Sequence, residues 1–265
     1  MYSSLWICIC SILIGNIRDG AAIHYGDISR MGRFKSIVTV FTRSKFCGGA
    51  ILDRYHILTA AHCVICKHPS QLKVIAGDVD FQSDECEVRD VAKIEVYEGF
   101  RPADDKKFVF MLALCLNAKS LHDFITIHDI AVLTLAKPLD LGPKVRSVTL
   151  PRNADIPKCK LVSFAGWGNT EDGEPDGLLR HASFNIVPFE MSDIWEWPRG
   201  PNQFHILDLF GNAQTDEGDD GGPLIDDDML HGVLSRNIDT AEGVSIVTKI
   251  YPYLKFIRAA MADRN

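Results

Sequence analysis

The sequence predicts an all-β fold, and two features carry that prediction. Short apolar or alternating runs recur along the 265 residues, with Gly, Pro and Asp turns between them. Many short strands at such spacing point to a barrel or a sandwich. The one departure is at the end of the chain. Tyr253–Met261 places Leu254, Ile257 and Met261 at helical spacing, so a single C-terminal helix is expected to dock there.

Taken in order, the strand-like runs are Ser36–Thr42, Ile51–Thr59, Leu72–Ala76, Val91–Tyr97 and Asp129–Leu135 in the first half. Lys160–Ala165, Pro223–Ile225, Leu230–Leu234 and Val244–Ile250 follow in the second. Each is apolar or alternates, as a strand with at least one buried face requires. No internal repeat or low-complexity tract interrupts them. A composition of 46% hydrophobic and 24% charged residues suffices for one large core or two packed subdomains.

The formal charge of −7 offers no basic patch, so neither nucleic acid nor an anionic membrane is an expected partner. Near the start, Leu5–Ile14 is an apolar run too short to span a bilayer and of the length of a secretory h-region. Residues 1–20 are therefore read as a signal peptide, with the cleavage site left open between Gly15 and Ala22 and no Lys or Arg before the run. Eight cysteines, two of them inside that segment, fit an oxidising, extracellular destination. There is no Asn-x-Ser/Thr sequon.

Five motifs carry the chemistry. Phe46-Cys47-Gly48-Gly49-Ala50-Ile51-Leu52 comes first, then Leu58-Thr59-Ala60-Ala61-His62-Cys63. His128-Asp129-Ile130-Ala131-Val132-Leu133 and Gly218-Asp219-Asp220-Gly221-Gly222-Pro223 follow, with Gly166-Trp167-Gly168-Asn169-Thr170 between them. In this order and spacing the motifs resemble the chymotrypsin/trypsin-like serine proteases, from about Ile23 to the C-terminus. The order of histidine, aspartate and nucleophile is that family's order. Ile51-Leu52-Asp53-x-Tyr55-x-Ile57-Leu58 is similar to arthropod members. The resemblance implies two antiparallel six-stranded barrels over residues 23–262, with the site in the cleft between them.

It also implies roles. His62 would be the general base and Asp129 its orienter. Gly218 and residue 220 would supply the oxyanion-hole amides, and Asp219 would pair with a new N-terminus at Ile23. Ala22, and not Lys or Arg, precedes Ile23, so a tryptic activation cut is not supported. Cys47 and Cys63 would form the disulfide that pins the histidine loop. Cys66 and Cys86 are candidates for a second bridge, and Cys115 and Cys159 are left unassigned. Asp216 and Asp226 stand where the family has cysteines, with Thr240 near a third such place.

The departure that matters most is Asp220, which occupies the place of the nucleophilic serine. A carboxylate is already deprotonated, so His62 has no proton to remove from it. It is a feeble nucleophile toward an amide, and its charge sits where the oxyanion would develop. The substrate pocket departs as well. Gln214 stands at the expected pocket base, and Ser235-Arg236-Asn237 replaces a Ser-Trp-Gly segment, so Asn237 should narrow the pocket.

Two stretches fit the pattern badly. Residues 100–128 are about twice as long as expected and carry the apolar block Phe108–Leu116, which is either a lineage-specific insertion or a misplaced gene boundary. Ile194–Phe210 carries Trp195, Trp197 and Pro198 in place of a cysteine-closed loop. The expected function is a secreted, inactive serine protease homologue that binds a protein or peptide as a monomer, a regulator or decoy in proteolysis or host defence. The alternatives are an active serine-type endopeptidase and a damaged digestive gene. No cofactor or metal is expected.

Overall fold

A computed structural model describes residues 23, 25–42, 45–102, 115, 126–156, 160–170, 172, 174–194, 196, 199–209, 211, 213–238 and 243–263. Residues 1–20, read above as a signal peptide, and Cys159, Thr240, Trp195, Trp197, Pro198 and all of the Phe108–Leu116 block except Cys115 lie outside these residues.

The chain closes into two antiparallel barrels of six strands each. A short strand β1 (Asp27–Ile28) precedes the first barrel, which uses β2 (Ile37–Phe41), β3 (Phe46–Ile51), β4 (His56–Thr59), β5 (Lys73–Ala76) and β6 (Glu87–Val96). A four-residue helix α1 (Ala61–Val64) follows β4. A small ribbon of β7 (Arg101–Pro102) and β8 (Thr126–Ile127) comes next, and β9 (Ala131–Leu135) completes the barrel in the order β2-β3-β4-β9-β6-β5.

The second barrel has β10 (Leu161–Gly166), β11 (Arg180–Ile186), β12 (Gln203–Leu207), β13 (Pro223–Asp226), β14 (Met229–Asn237) and β15 (Ser245–Lys249). It closes through β11–β12 pairing, and β1 adds to its β11 edge. A helix α2 (Phe189–Ile194) joins β11 to β12, and α3 (Leu254–Ala262) ends the chain.

Each barrel is filled by its own core. Val38, Val40, Ile51, Leu58, Val74, Ile130 and Leu133 are among the buried residues of the first, which also takes Leu254, Ile257 and Ala260 of α3. Phe164, Phe184, Phe204, Ile206, Leu224 and Val247 dominate the second, and Ile23 joins them. Full burial of each such side chain contributes about 1.5–3 kcal/mol.

Two expectations are corrected. Ile51–Thr59 is a hairpin and not one strand, because the Asp53 carboxylate accepts the amides of Tyr55 (2.7 Å) and His56 (3.0 Å) and turns the chain. Cys66 bridges Cys115 (Cα–Cα 5.3 Å), not Cys86, which remains a thiol. This second bridge joins Cys115 to Cys66, four residues after His62.

Candidate functional site

His62 enters the site on α1. The helix starts after Ala60, whose side chain cannot cap it. The cap comes instead from across the fold, where Asp129 Oδ1 accepts the His62 backbone amide at 2.9 Å. A carboxylate at a helix N-terminus also complements the exposed amides there. The disulfide Cys47–Cys63 fixes the other side of His62, tying α1 to β3 across a separation of 16 residues.

Asp129 follows His128, which adopts a left-handed φ of +58°. That conformation is uncommon outside glycine and needs support from its surroundings. His128 Nδ1 finds it in the Tyr253 hydroxyl at 2.8 Å, at the foot of α3. Asp129 is completely buried. Its Oδ2 receives His62 Nδ1 (2.7 Å), Ser235 Oγ (2.6 Å) and Thr126 Oγ1 (3.2 Å). Burial pushes the carboxyl up, but the adjacent His62 charge and the bonds from His62 and Ser235 prevail and hold it below the usual range.

Asp220 lies on the turn between Asp216 and Pro223. Its backbone carbonyl accepts the Gly48 amide at 2.7 Å, which docks the turn on β3. The approach needs glycines. A Cβ on Gly48 would come within 2.6 Å of Gly222 Cα, and one on Gly221 (φ +82°) within 2.4 Å of Thr59 Oγ1. Gly218, at φ +99°, begins the same turn two residues before Asp220.

The structure brings His62, Asp129 and Asp220 together. Asp220 Oδ2 faces His62 Nε2 at 3.2 Å, while Asp129 holds Nδ1. Both ring nitrogens therefore point at carboxylates, and the arrangement is satisfied only if both carry protons. Burial works against the imidazolium and is the largest single influence. The charges and hydrogen bonds of Asp129 and Asp220 together outweigh it and raise the His62 pKa to about 10.

The residues expected to line a substrate pocket are placed as follows. Ser235, fully buried on β14, donates to Asp129. Asn237 ties two walls of the expected pocket together. Its Oδ1 accepts from Thr215 Oγ1 and from Ser245 Oγ (3.2 Å), and its Nδ2 donates to the Thr215 carbonyl. Thr215 and Ser245 are themselves 2.9 Å apart and buried. Gln214 precedes Thr215 and lies beside Gly243. Arg236 sits at a register shift between β14 and β15.

Asp219 is buried and accepts the amides of Gly168 (2.8 Å) and Asp216 (3.0 Å). Burial, the largest cause, raises its pKa to about 7; the two amides oppose the rise and the charges of Asp220 and Asp216 add to it. Ile23 is buried in the second core. In the uncut chain its nitrogen is a peptide nitrogen and not an ammonium ion.

Ligand atoms of Cys47, His62 and Cys63 converge within 4.8 Å. The sulfurs are consumed by their disulfide and the imidazole by its two carboxylates, so these atoms are not available to a metal ion. Sequence reasoning missed Thr126, Thr215 and Ser245. Thr126 lies three residues before Asp129, which is a usable signal. Nothing local marks Thr215 or Ser245, whose roles arise from contact with Asn237.

Comparison with known proteins agrees with this geometry. The sequence profile of the trypsin family matches residues 23–257. Chymotrypsin-2 of Vespa crabro is 28% identical over 235 residues, 88% of this chain and 97% of that protein. Trypsin zeta of Drosophila erecta is 29% identical over 266 residues, 94% of this chain and 86% of that one. Among solved structures, scabies mite inactivated protease paralogue S-D1 aligns with a TM-score of 0.73 at 22% identity, over 89% of this chain and 96% of that one.

Proposed function

Because the chain belongs to the trypsin family, we propose that it is a secreted, catalytically inactive homologue that acts by binding protein, as a regulator or decoy in proteolysis or host defence. The observation that carries this reading is the Asp220–His62 contact of 3.2 Å. The family's chemistry needs a neutral His62 Nε2 that takes a proton from a hydroxyl. Here Nε2 is turned toward a carboxylate that has none to give, and the imidazole is held protonated. An acyl transfer to Asp220 would also yield a labile mixed anhydride beside a charge that opposes the oxyanion.

The Asn237–Thr215–Ser245 bonds support the same reading, since they fix the side chain that the family resemblance places at the substrate pocket. The scabies mite protein of this fold carries the description "inactivated", which agrees but by analogy alone. Secretion is supported by the N-terminal apolar run and the two disulfides. Among the described residues, no helix is long and apolar enough to cross a membrane.

The competing reading is a working serine-type endopeptidase, favoured by the intact His62–Asp129 pair. Purified protein assayed against peptide amides and serine-directed phosphonates separates the two. No turnover and no labelling are expected. Turnover that survives purification and disappears in His62→Ala would overturn the inactive reading.

A further inference from the structure

His181 lies on β11, away from the site, and is only 7% exposed. Its Nε2 meets the Arg33 guanidinium and its Nδ1 lies 3.0 Å from Ser29 Oγ. Arginine has no acceptor, so Nε2 must be the unprotonated nitrogen and Nδ1–H must donate to the serine. The contact thus requires a neutral ring. The Phe34 ring packs against it at 5.3 Å between centroids.

Ser29 and Arg33 belong to the segment that leads from Ile23 into β2. Two cross-strand pairs, Asp27 with His181 and Ile28 with Arg180, hold that segment to the second barrel. The Ser29 amide adds one bond to the Leu179 carbonyl, at 2.8 Å. So short a ladder depends on the side chains around it.

We propose that Arg33, His181 and Ser29 form a pH-sensitive latch, in which protonation of His181 releases residues 25–33 from the second barrel. A proton on Nε2 removes the acceptor for Arg33 and sets an imidazolium against a guanidinium. Among the described residues, two charged residues face the ring: Arg33, and Asp27 across the β1–β11 pair, whose charge and backbone hydrogen bond partly offset it. Arg180 is engaged with Asp176. Burial first, then the Arg33 charge, hold His181 below its ordinary value. Because the folded value is depressed, the latch stabilises fully above about pH 6.5 and is lost as pH falls through the folded value. The consequence is local: the start of the domain loosens in acid while both barrels persist.

Hydrogen exchange of the full chain at pH 7.5 and 4.5, corrected for intrinsic rates, tests this. Amides of residues 25–34 should lose at least tenfold in protection at the lower pH, with β3 and β4 unchanged. His181→Gln keeps an acceptor and a donor but cannot be protonated, so its protection should not depend on pH. Equal wild-type protection at the two pH values, or an equal loss in His181→Gln, overturns the latch. If that variant does not fold, the wild-type His181 ring titration followed by NMR decides. Its midpoint must coincide with the loss of protection, and a midpoint that differs refutes the proposal.

Discussion

Asp220 Oδ2 lies 3.2 Å from His62 Nε2, on the opposite side of the imidazole from Asp129. His62 is thereby held between two carboxylates that favour its protonated form. The folded pKa, about 10, is above the unfolded value near 6.5. The clamp's stabilisation is therefore complete below about pH 6.5 and is lost as pH rises through about 10. Asp220→Ser should lower the His62 pKa toward the neutral range. An NMR titration that returns the same His62 pKa in both proteins would exclude the clamp.

Restoring the serine alone should restore little proteolysis. The Asn237 side chain still bonds to Thr215 and Ser245, where the family resemblance leads one to expect the pocket. Asp220→Ser combined with Asn237→Gly and Ser245→Gly should exceed Asp220→Ser alone by roughly 100-fold or more in kcat/KM, because a bound side chain must be accommodated before the transition state can form. If Asp220→Ser alone equals the triple variant on a panel of peptide amides, the Asn237 contacts do not limit activity.

How far the sequence disclosed this molecule depended on where polar residues lie. Runs such as Ser36–Thr42 and Lys160–Ala165 alternate or are apolar, and they became β2 and β10. The strands β11 and β12 were not legible, because His181, Asn185, Gln203 and His205 are polar yet buried within them. Their burial is compensated by partners distant in sequence, as Gln203 Nε2 donates to the Thr126 carbonyl at 2.9 Å. The His62–Asp129–Asp220 constellation was legible since each residue sits in a motif of its own. The Asn237–Thr215–Ser245 cluster was legible at only one residue, because a single sequence does not reveal which side chains meet across the fold.

The cysteines give a chemical check on the fold. Peptide mapping should find Cys47 joined to Cys63 and Cys66 joined to Cys115. Cys86 should stay a thiol and react slowly with iodoacetamide at neutral pH, because burial first, then Asp78 and Asp80, push its pKa to about 11. Removing the Cys47–Cys63 bridge, which closes a loop of 16 residues, should cost about 3 kcal/mol in denaturant unfolding. Recovery of a Cys66–Cys86 peptide would contradict the path of the chain after β6.

Asp219 yields the last prediction. It is buried with two amide donors, and its folded pKa of about 7 is above the unfolded value near 4. For an acid raised on folding, the stabilising contribution is full below the unfolded value and is lost as pH rises through the folded one. The uncut chain should therefore lose stability from this group between about pH 4 and 7. A chain that begins at Ile23 supplies an ammonium group, with a free pKa near 8, that can pair with ionised Asp219. Thermal unfolding of the two forms should then coincide at pH 4 and diverge at pH 7.5. The trimmed form should melt higher by about 2–4 °C for each kcal/mol the pair contributes. Equal melting temperatures at pH 7.5, or a lower one for the trimmed chain, would show that Ile23 does not reach Asp219 and that the carboxylate is served by the Gly168 and Asp216 amides alone.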